Sequence, residues 1–405
     1  MKVKAFLVLF VLNIFFFISC DNDEEYILNV GEEISDSDNS LSRAIDLVKN
    51  YEQDLVSKSG SNSEVVIDNY EKRTYTFFVP KKGIAKSALN STSADSINVD
   101  LYYMTFSKGG NRGYAFVSGD ERVNRVYAYT ESGTIGDTAY IYPLACIIRE
   151  IPSILERDVQ KYYVNESTSR AGTYFSYGPL ITTSWHQGAP YNLYTPAFQW
   201  TNPVDQIYYG DRYAAGCTNI ATAQVITYYG KFTGTMFGNR NIDFDNLKRT
   251  ATIGEYDSRA QVVGNFLREI ISKNNSTYYN DGSTGASLEA TYTYLKNMGY
   301  SCNIAKDVNV DINALYTNIK NGNPHLTSGF RKNPRGGHTW IWDGIRGYVN
   351  GSSIEVDAIH CNWGWNNPSG SYPAVNSNGW YASYEQPDPN QEPYFDDNVQ
   401  LYITE

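Results

Sequence analysis

Leu41, Ala44, Ile45, Val48, Tyr51 and Leu55 recur three and four residues apart, which places them on one face of a helix running to about Val56. The period then changes. Apolar and polar residues alternate over Thr74–Val79, Leu101–Phe106, Tyr114–Val117 and Val126–Tyr129, predicting strands, with turns at Gly109-Gly110 and Ser118-Gly119-Asp120. Helical spacing returns between Tyr140 and Tyr163, interrupted by Pro143 and Pro152, and predicts one helix or two. Residues 41–164 thus read as a small α+β unit with no catalytic constellation.

Asn165–Gly172 is small, polar and without period, an exposed linker of the kind proteases cut. A second unit starts near Ser176. Its patterns predict helices over Cys217–Tyr229, Ser258–Lys273, Ala286–Asn297 and Ile312–Lys320, the first of them amphipathic. Strands are then predicted over His325–Phe330, His338–Ile345, Ser353–His360, Gly379–Ser383 and Val399–Ile403. Helices first and sheet afterwards is an α+β arrangement.

The first residues have a different character. Lys2 and Lys4 precede an apolar stretch from Ala5 to Ile18, broken only by Asn13 and ended by Ser19-Cys20. That is the layout of a signal peptide over 1–19, and a small residue before Cys20 matches a bacterial lipoprotein cleavage box. Acylation of Cys20 is expected to anchor the protein to a membrane through residues 20–40, an acidic, Ser-rich tether. The expected location is therefore the cell envelope or surface, with the second unit open to later release. Asn-x-Ser/Thr matches such as Asn90-Ser91-Thr92 are then not glycan sites.

A chain of 405 residues, 41% hydrophobic and only 19% charged, can bury two cores. Its net charge of −11 gives nucleic acid no electrostatic support. Five cysteines without a CxxC pair, and four scattered histidines, predict neither a metal site nor a cofactor, and are too sparse for a disulfide framework. Cys146, Cys302 and Cys361 read as packed core residues. His186 is expected to border the cleft, and His325 and His360 to sit within strands.

Cys217 opens its predicted helix, where unpaired amides and the helix dipole favour a thiolate. His338 and Asn362 follow, completing the order Cys…His…Asn that a thiol nucleophile, its base and an orienting group require. Gly216 leaves a substrate backbone room beside the sulfur.

These residues resemble the streptopain family of bacterial papain-like cysteine peptidases. The resemblance rests on Gly216–Gln224, on Gly336-Gly337-His338-Thr339-Trp340, on His360-Cys361-Asn362-Trp363-Gly364-Trp365 and on Trp185-His186-Gln187-Gly188. Gly113–Asp120 resembles part of the family's inhibitory propeptide. The resemblance implies a papain-like peptidase domain over 171–405 and a propeptide with its linker over 41–170. It implies Cys217 as nucleophile, His338 as base, Gln187 as oxyanion donor, Asn362 orienting the imidazole and Trp363 shielding that bond. Expected partners are protein or peptide substrates and the chain's own propeptide. The propeptide would occupy the cleft until the linker is cut, with Arg170 one candidate point, and would then dissociate. Two other readings stay open: a cell-wall amidase or acyl transferase using the same dyad, and a catalytically silent surface-binding protein.

Overall fold

The computed structural model describes residues 39–51, 64–80, 94–139, 142–163, 172–232, 242–306, 310–332, 335–365, 377–382 and 397–404. The signal segment, Cys20, nearly all of the tether and the linker residues around Arg170 lie outside them.

Helix α1 (Asn39–Asn50) buries Leu41, Ala44 and Val48, the predicted apolar face, and ends earlier than the pattern implied. It packs on an antiparallel meander of β1 (Val66–Pro80), β2 (Ala94–Lys108), β3 (Asn111–Ser118) and β4 (Arg125–Thr130). Strand β1 begins at Val66 rather than at Thr74. Its polar first half, Asn69–Arg73, is held by ladder pairing with Leu101–Thr105 on β2, a tertiary contact that hydrophobic alternation does not encode. The stretch after Tyr140 is a single helix, α2 (Tyr142–Tyr163), which runs through Pro152.

The second unit opens with β5 (Thr173–Tyr177) and a short unanticipated helix, α3 (Pro203–Tyr209). Asn202 caps α3 by accepting from the Val204 amide, with Pro203 at the first helical position. Then come α4 (Cys217–Tyr229), α5 (Phe244–Leu247), α6 (Ala260–Lys273), the two-residue strands β6 (Thr277–Tyr278) and β7 (Thr284–Gly285), α7 (Leu288–Asn297), β8 (Ser301–Ala305) and α8 (Ile312–Lys320). Strands β9 (His325–Lys332), β10 (Arg335–Asn350), β11 (Ser353–Asn362), β12 (Gly379–Ala382) and β13 (Asp397–Thr404) complete the chain.

Helix α4 corrects one expectation. Every residue from Thr218 to Thr227 is buried, so it is a central helix and not an amphipathic one. Its apolar side chains pack with Phe266, Leu267 and Ile270 of α6 and with Leu326 and Ile341 of the sheet. The polar residues Asn219, Thr222 and Gln224 are satisfied internally instead of by water.

One sheet of eleven strands joins both units in the order β1-β2-β3-β4-β12-β11-β10-β9-β13-β8, with β5 pairing β10. The join is β4 against β12: Ala128 faces Tyr381, Tyr129 faces Trp380 and Thr130 faces Gly379. Gly379 makes this approach possible, since a Cβ there would lie 2.4 Å from the Tyr129 carbonyl oxygen.

Candidate active site

Gly216 holds φ +91° at the N-cap of α4, and a Cβ on it would stand 2.7 Å from the Thr284 carbonyl oxygen. Glycine is therefore required both for the backbone turn and for the close approach of β7. The turn leaves Cys217 as the first residue of the buried helix, its thiol at a groove of about 1540 Å³. Across the groove, β10 supplies His338 and Thr339, and Gln187 and Trp365 line the same space. The structure thus brings Cys217, His338 and Gln187 to one cleft from three distant stretches of sequence.

The thiol feels opposing forces. Burial pushes its pKa up, but the charge and hydrogen bond of His338 and the amides of Thr339 and Thr218 pull it down further. The result is about 7, against 9.0 for an ordinary thiol. The Thr339 amide donates to Sγ at 3.4 Å. A thiol so placed has the chemistry of a nucleophile at neutral pH.

His338 is 7% exposed, and its Nε2 lies 2.7 Å from the Trp363 carbonyl oxygen. A carbonyl can only accept, so Nε2 carries the hydrogen and Nδ1 is left as the basic nitrogen for the thiol proton. Asn362, expected to orient the ring, does not do so here. Its amide nitrogen donates to the Thr183 carbonyl at 2.8 Å, its oxygen accepts from the Gly364 amide, and it pairs reciprocally with the Gln224 amide at 3.3 Å. Gln224 in turn accepts from the Trp185 amide. With Asn362 committed to bracing the turn, the next residue's backbone carbonyl reaches the imidazole.

Trp363 is fully buried, its ring 5.6 Å from both Trp340 and Tyr381. Its Nε1 donates to the Ser377 carbonyl at 2.9 Å, and its amide donates to Asn378 Oδ1. The Ser377 hydroxyl donates to Asp137 Oδ2 at 2.6 Å and accepts from the Tyr114 hydroxyl at 3.2 Å. Asp137, Tyr114 and Ser377 are all inaccessible to solvent. A buried carboxylate from the first unit therefore bears, through Ser377 and Trp363, on the group that holds His338. Neither Asp137 nor Ser377 carries a sequence signal, because the contact spans 240 residues.

The cleft-lining residues lie between Gln187 and Trp365, and no described residue of 39–163 is among them. His186 does not border the cleft either. It is 4% exposed, packs against Tyr191 and Tyr208, accepts from the Gly188 amide, and is kept neutral by burial, with a pKa of about 3. His325, at the start of β9, is likewise depressed to about 3 by burial. His360 Nδ1 sits 2.6 Å from the buried Asp343 carboxylate, away from the cleft lining. Cys146, Cys302 and Cys361 are buried as expected, and burial raises the thiols of the last two. Among the described residues no cluster of metal-ligating side chains occurs. No helix among them is long and apolar enough to cross a membrane.

Residues 185–373 match the model of the Peptidase C10 family. Streptopain of Streptococcus pyogenes is 23% identical over 343 aligned positions, covering 73% of this chain and 81% of streptopain. Among solved structures, prointerpain A of Prevotella intermedia superposes with a TM-score of 0.51 at 16% identity, over 74% of this chain and 94% of that one. The likeness in structure shows the shared fold, helices packed on an antiparallel sheet.

Proposed function

We propose that the chain is a streptopain-like cysteine endopeptidase of the Peptidase C10 family, whose model matches residues 185–373, with Cys217 as its nucleophile and His338 its general base and acid. The observation that carries the assignment is the Cys217 thiol, lowered to about 7 at a helix N-terminus beside an imidazole oriented by the Trp363 carbonyl. The Cys217 thiolate attacks the peptide carbonyl carbon, and the oxyanion is met by the Cys217 amide and the Gln187 side chain. The C–N bond breaks as His338 gives its proton to the departing amine. Water, deprotonated by His338, then cleaves the thioester and restores the thiol.

Gln187→Ala is expected to lower kcat/KM by on the order of 10²-fold while leaving Cys217 alkylation intact, because only the oxyanion loses a donor. A fluorogenic peptide assay read beside iodoacetamide labelling checks this, and unchanged turnover would remove Gln187 from the mechanism.

The family also supports synthesis as a precursor, with residues 41–170 as the propeptide and 171–405 as the peptidase. What supports a regulatory role for the first unit is its buried reach, through Asp137 and Ser377, to the carbonyl that holds His338. Export, with acylation at Cys20, rests on the apolar segment ending at Ser19-Cys20. Detergent partitioning tests it: wild type should enter the detergent phase and Cys20→Ala should not, and a wild-type protein found in the aqueous phase would argue for a plain secretory signal.

A further inference from the structure

The groove beside Cys217 is not chemically even along its length. From Trp200 an aromatic track leads towards the dyad. Trp200 stacks on Tyr209 at 4.6 Å and 18°, Tyr209 meets Tyr208 at 4.5 Å, and Tyr208 lies parallel to Trp365, whose ring is 6.0 Å from His338. Trp200 is fixed in place: its Nε1 donates to the Arg212 carbonyl and its ring presses on Gly282. Asp205, one turn before Tyr209 on α3, also lines the groove.

The charges lining the groove differ in their partners. Glu289 is paired with Lys306. Asp281 accepts from the amide and hydroxyl of Ser283 and so shapes its own turn. Asp205 has only Asn202 beside it and no cationic partner among the described residues. Partial burial pushes its pKa up, as expected for a carboxylate withdrawn from water without a counter-charge. Asp205, Tyr209 and Cys217 line the same groove. The stacked pair Trp200 and Tyr209, lining the groove together with an uncompensated carboxylate, is the environment that receives a long cationic side chain, stem on the rings and charge on the oxygen.

We propose that Asp205 is a specificity-determining residue, pairing with the ammonium or guanidinium of a lysine or arginine side chain of the bound peptide, laid along Trp200 and Tyr209. The inference rests on the endopeptidase reading of the same cleft. The alternative local role for Asp205, an acidic residue in the first turn of α3, accounts for its contact with Asn202 but not for a carboxylate facing the groove.

The test is a set of peptide pairs, identical except for arginine or its neutral isostere citrulline at each position in turn from three before to three after the scissile bond. The full chain is matured under reducing conditions, and its active sites are counted with an epoxide thiol label. At one position arginine should exceed citrulline in kcat/KM by about tenfold, the scale of a partly desolvated ion pair. Asp205→Asn should bring that ratio to about one, Asp205→Glu should restore part of it, and Asp205→Lys should turn the preference to glutamate. Each variant's melting temperature shows whether α3 has survived. The inference is overturned if no position separates the two peptides, or if the ratio persists in a folded Asp205→Asn. Labelled enzyme that cleaves neither peptide of any pair would instead bring down the endopeptidase reading beneath it.

Discussion

Cys217→Ala and His338→Ala are each expected to depress peptide hydrolysis by on the order of 10⁴-fold or more, with the double variant little worse than either. In the proposed mechanism the two side chains act as one unit. The thiol is about half ionised at neutral pH only because the attraction of His338 and the amides of Thr339 and Thr218 outweigh burial, so removing either partner disables the same step. Neither change disturbs the fold, which depends on the buried faces of α4 and on the sheet. Alkylation of the sulfur separates the contributions. In wild type the iodoacetamide rate should rise with pH through about 7, since only the deprotonated sulfur reacts. In His338→Ala the largest lowering influence is gone, so the midpoint should move up towards the ordinary thiol range. Casein cleavage by a folded Cys217→Ala at a near-normal rate would show that another residue is the nucleophile. An unmoved alkylation midpoint in His338→Ala would show that the imidazole is not coupled to the sulfur.

The second large effect concerns what happens when the chain is cut between residues 164 and 171. The linker alone would give the first unit only an effective concentration, lost on cleavage. The structure adds an interface that cleavage leaves untouched. Strand β4 pairs with β12. Arg125, 9% exposed, donates to the Asp357 carbonyl of the second unit at 2.8 Å. The Arg346 guanidinium lies over the rings of Tyr51 and Trp380, at 4.2 and 4.8 Å. The buried Asp137–Ser377 bond completes the set. Nicked protein is therefore expected to elute as one particle from gel filtration at micromolar concentration, separating only in denaturant or after further proteolysis of the first unit. Gly379→Val should change that outcome, because its side chain would occupy the space of the Tyr129 carbonyl and hold β4 and β12 apart. Two separate peaks from nicked wild type would show that the shared sheet does not hold the units together. Identical elution of nicked wild type and nicked Gly379→Val would show that β4–β12 pairing is not what holds them.

The proposed dyad was legible in the sequence because its chemistry is local on each side. A cysteine just after a glycine at a helix start carries a backbone reason that neighbouring residues reveal, and the histidine stands in the motif Gly336-Gly337-His338-Thr339-Trp340. Strand and helix identity was legible for the same reason: period is a property of ten or so residues. Helix α3 was missed because its apolar residues are too few to show a period, and its cap is its main signal. The reading of α4 as amphipathic failed because sequence does not tell a solvated polar residue from a buried, paired one. Asn219, Thr222 and Gln224 have internal partners that lie far away along the chain or one turn back.

Amino-acid order by itself determined most of the segments of regular structure, the α+β class and the choice of Cys217 and His338 as the proposed nucleophile and base. Each of these follows from spacing, caps and residue chemistry within a short window. Tertiary structure alone decided that Trp363 offers its carbonyl to His338 while Asn362 braces the turn, and that Asp137 reaches Ser377 across the sheet. It alone decided that β4 and β12 make one sheet of two units, and that Asp205 faces the groove without a counter-charge. The physical reason is the same throughout. A hydrogen bond or ion pair between residues far apart in the chain is chosen by which backbones the core brings within about 3 Å, and no local pattern records that choice.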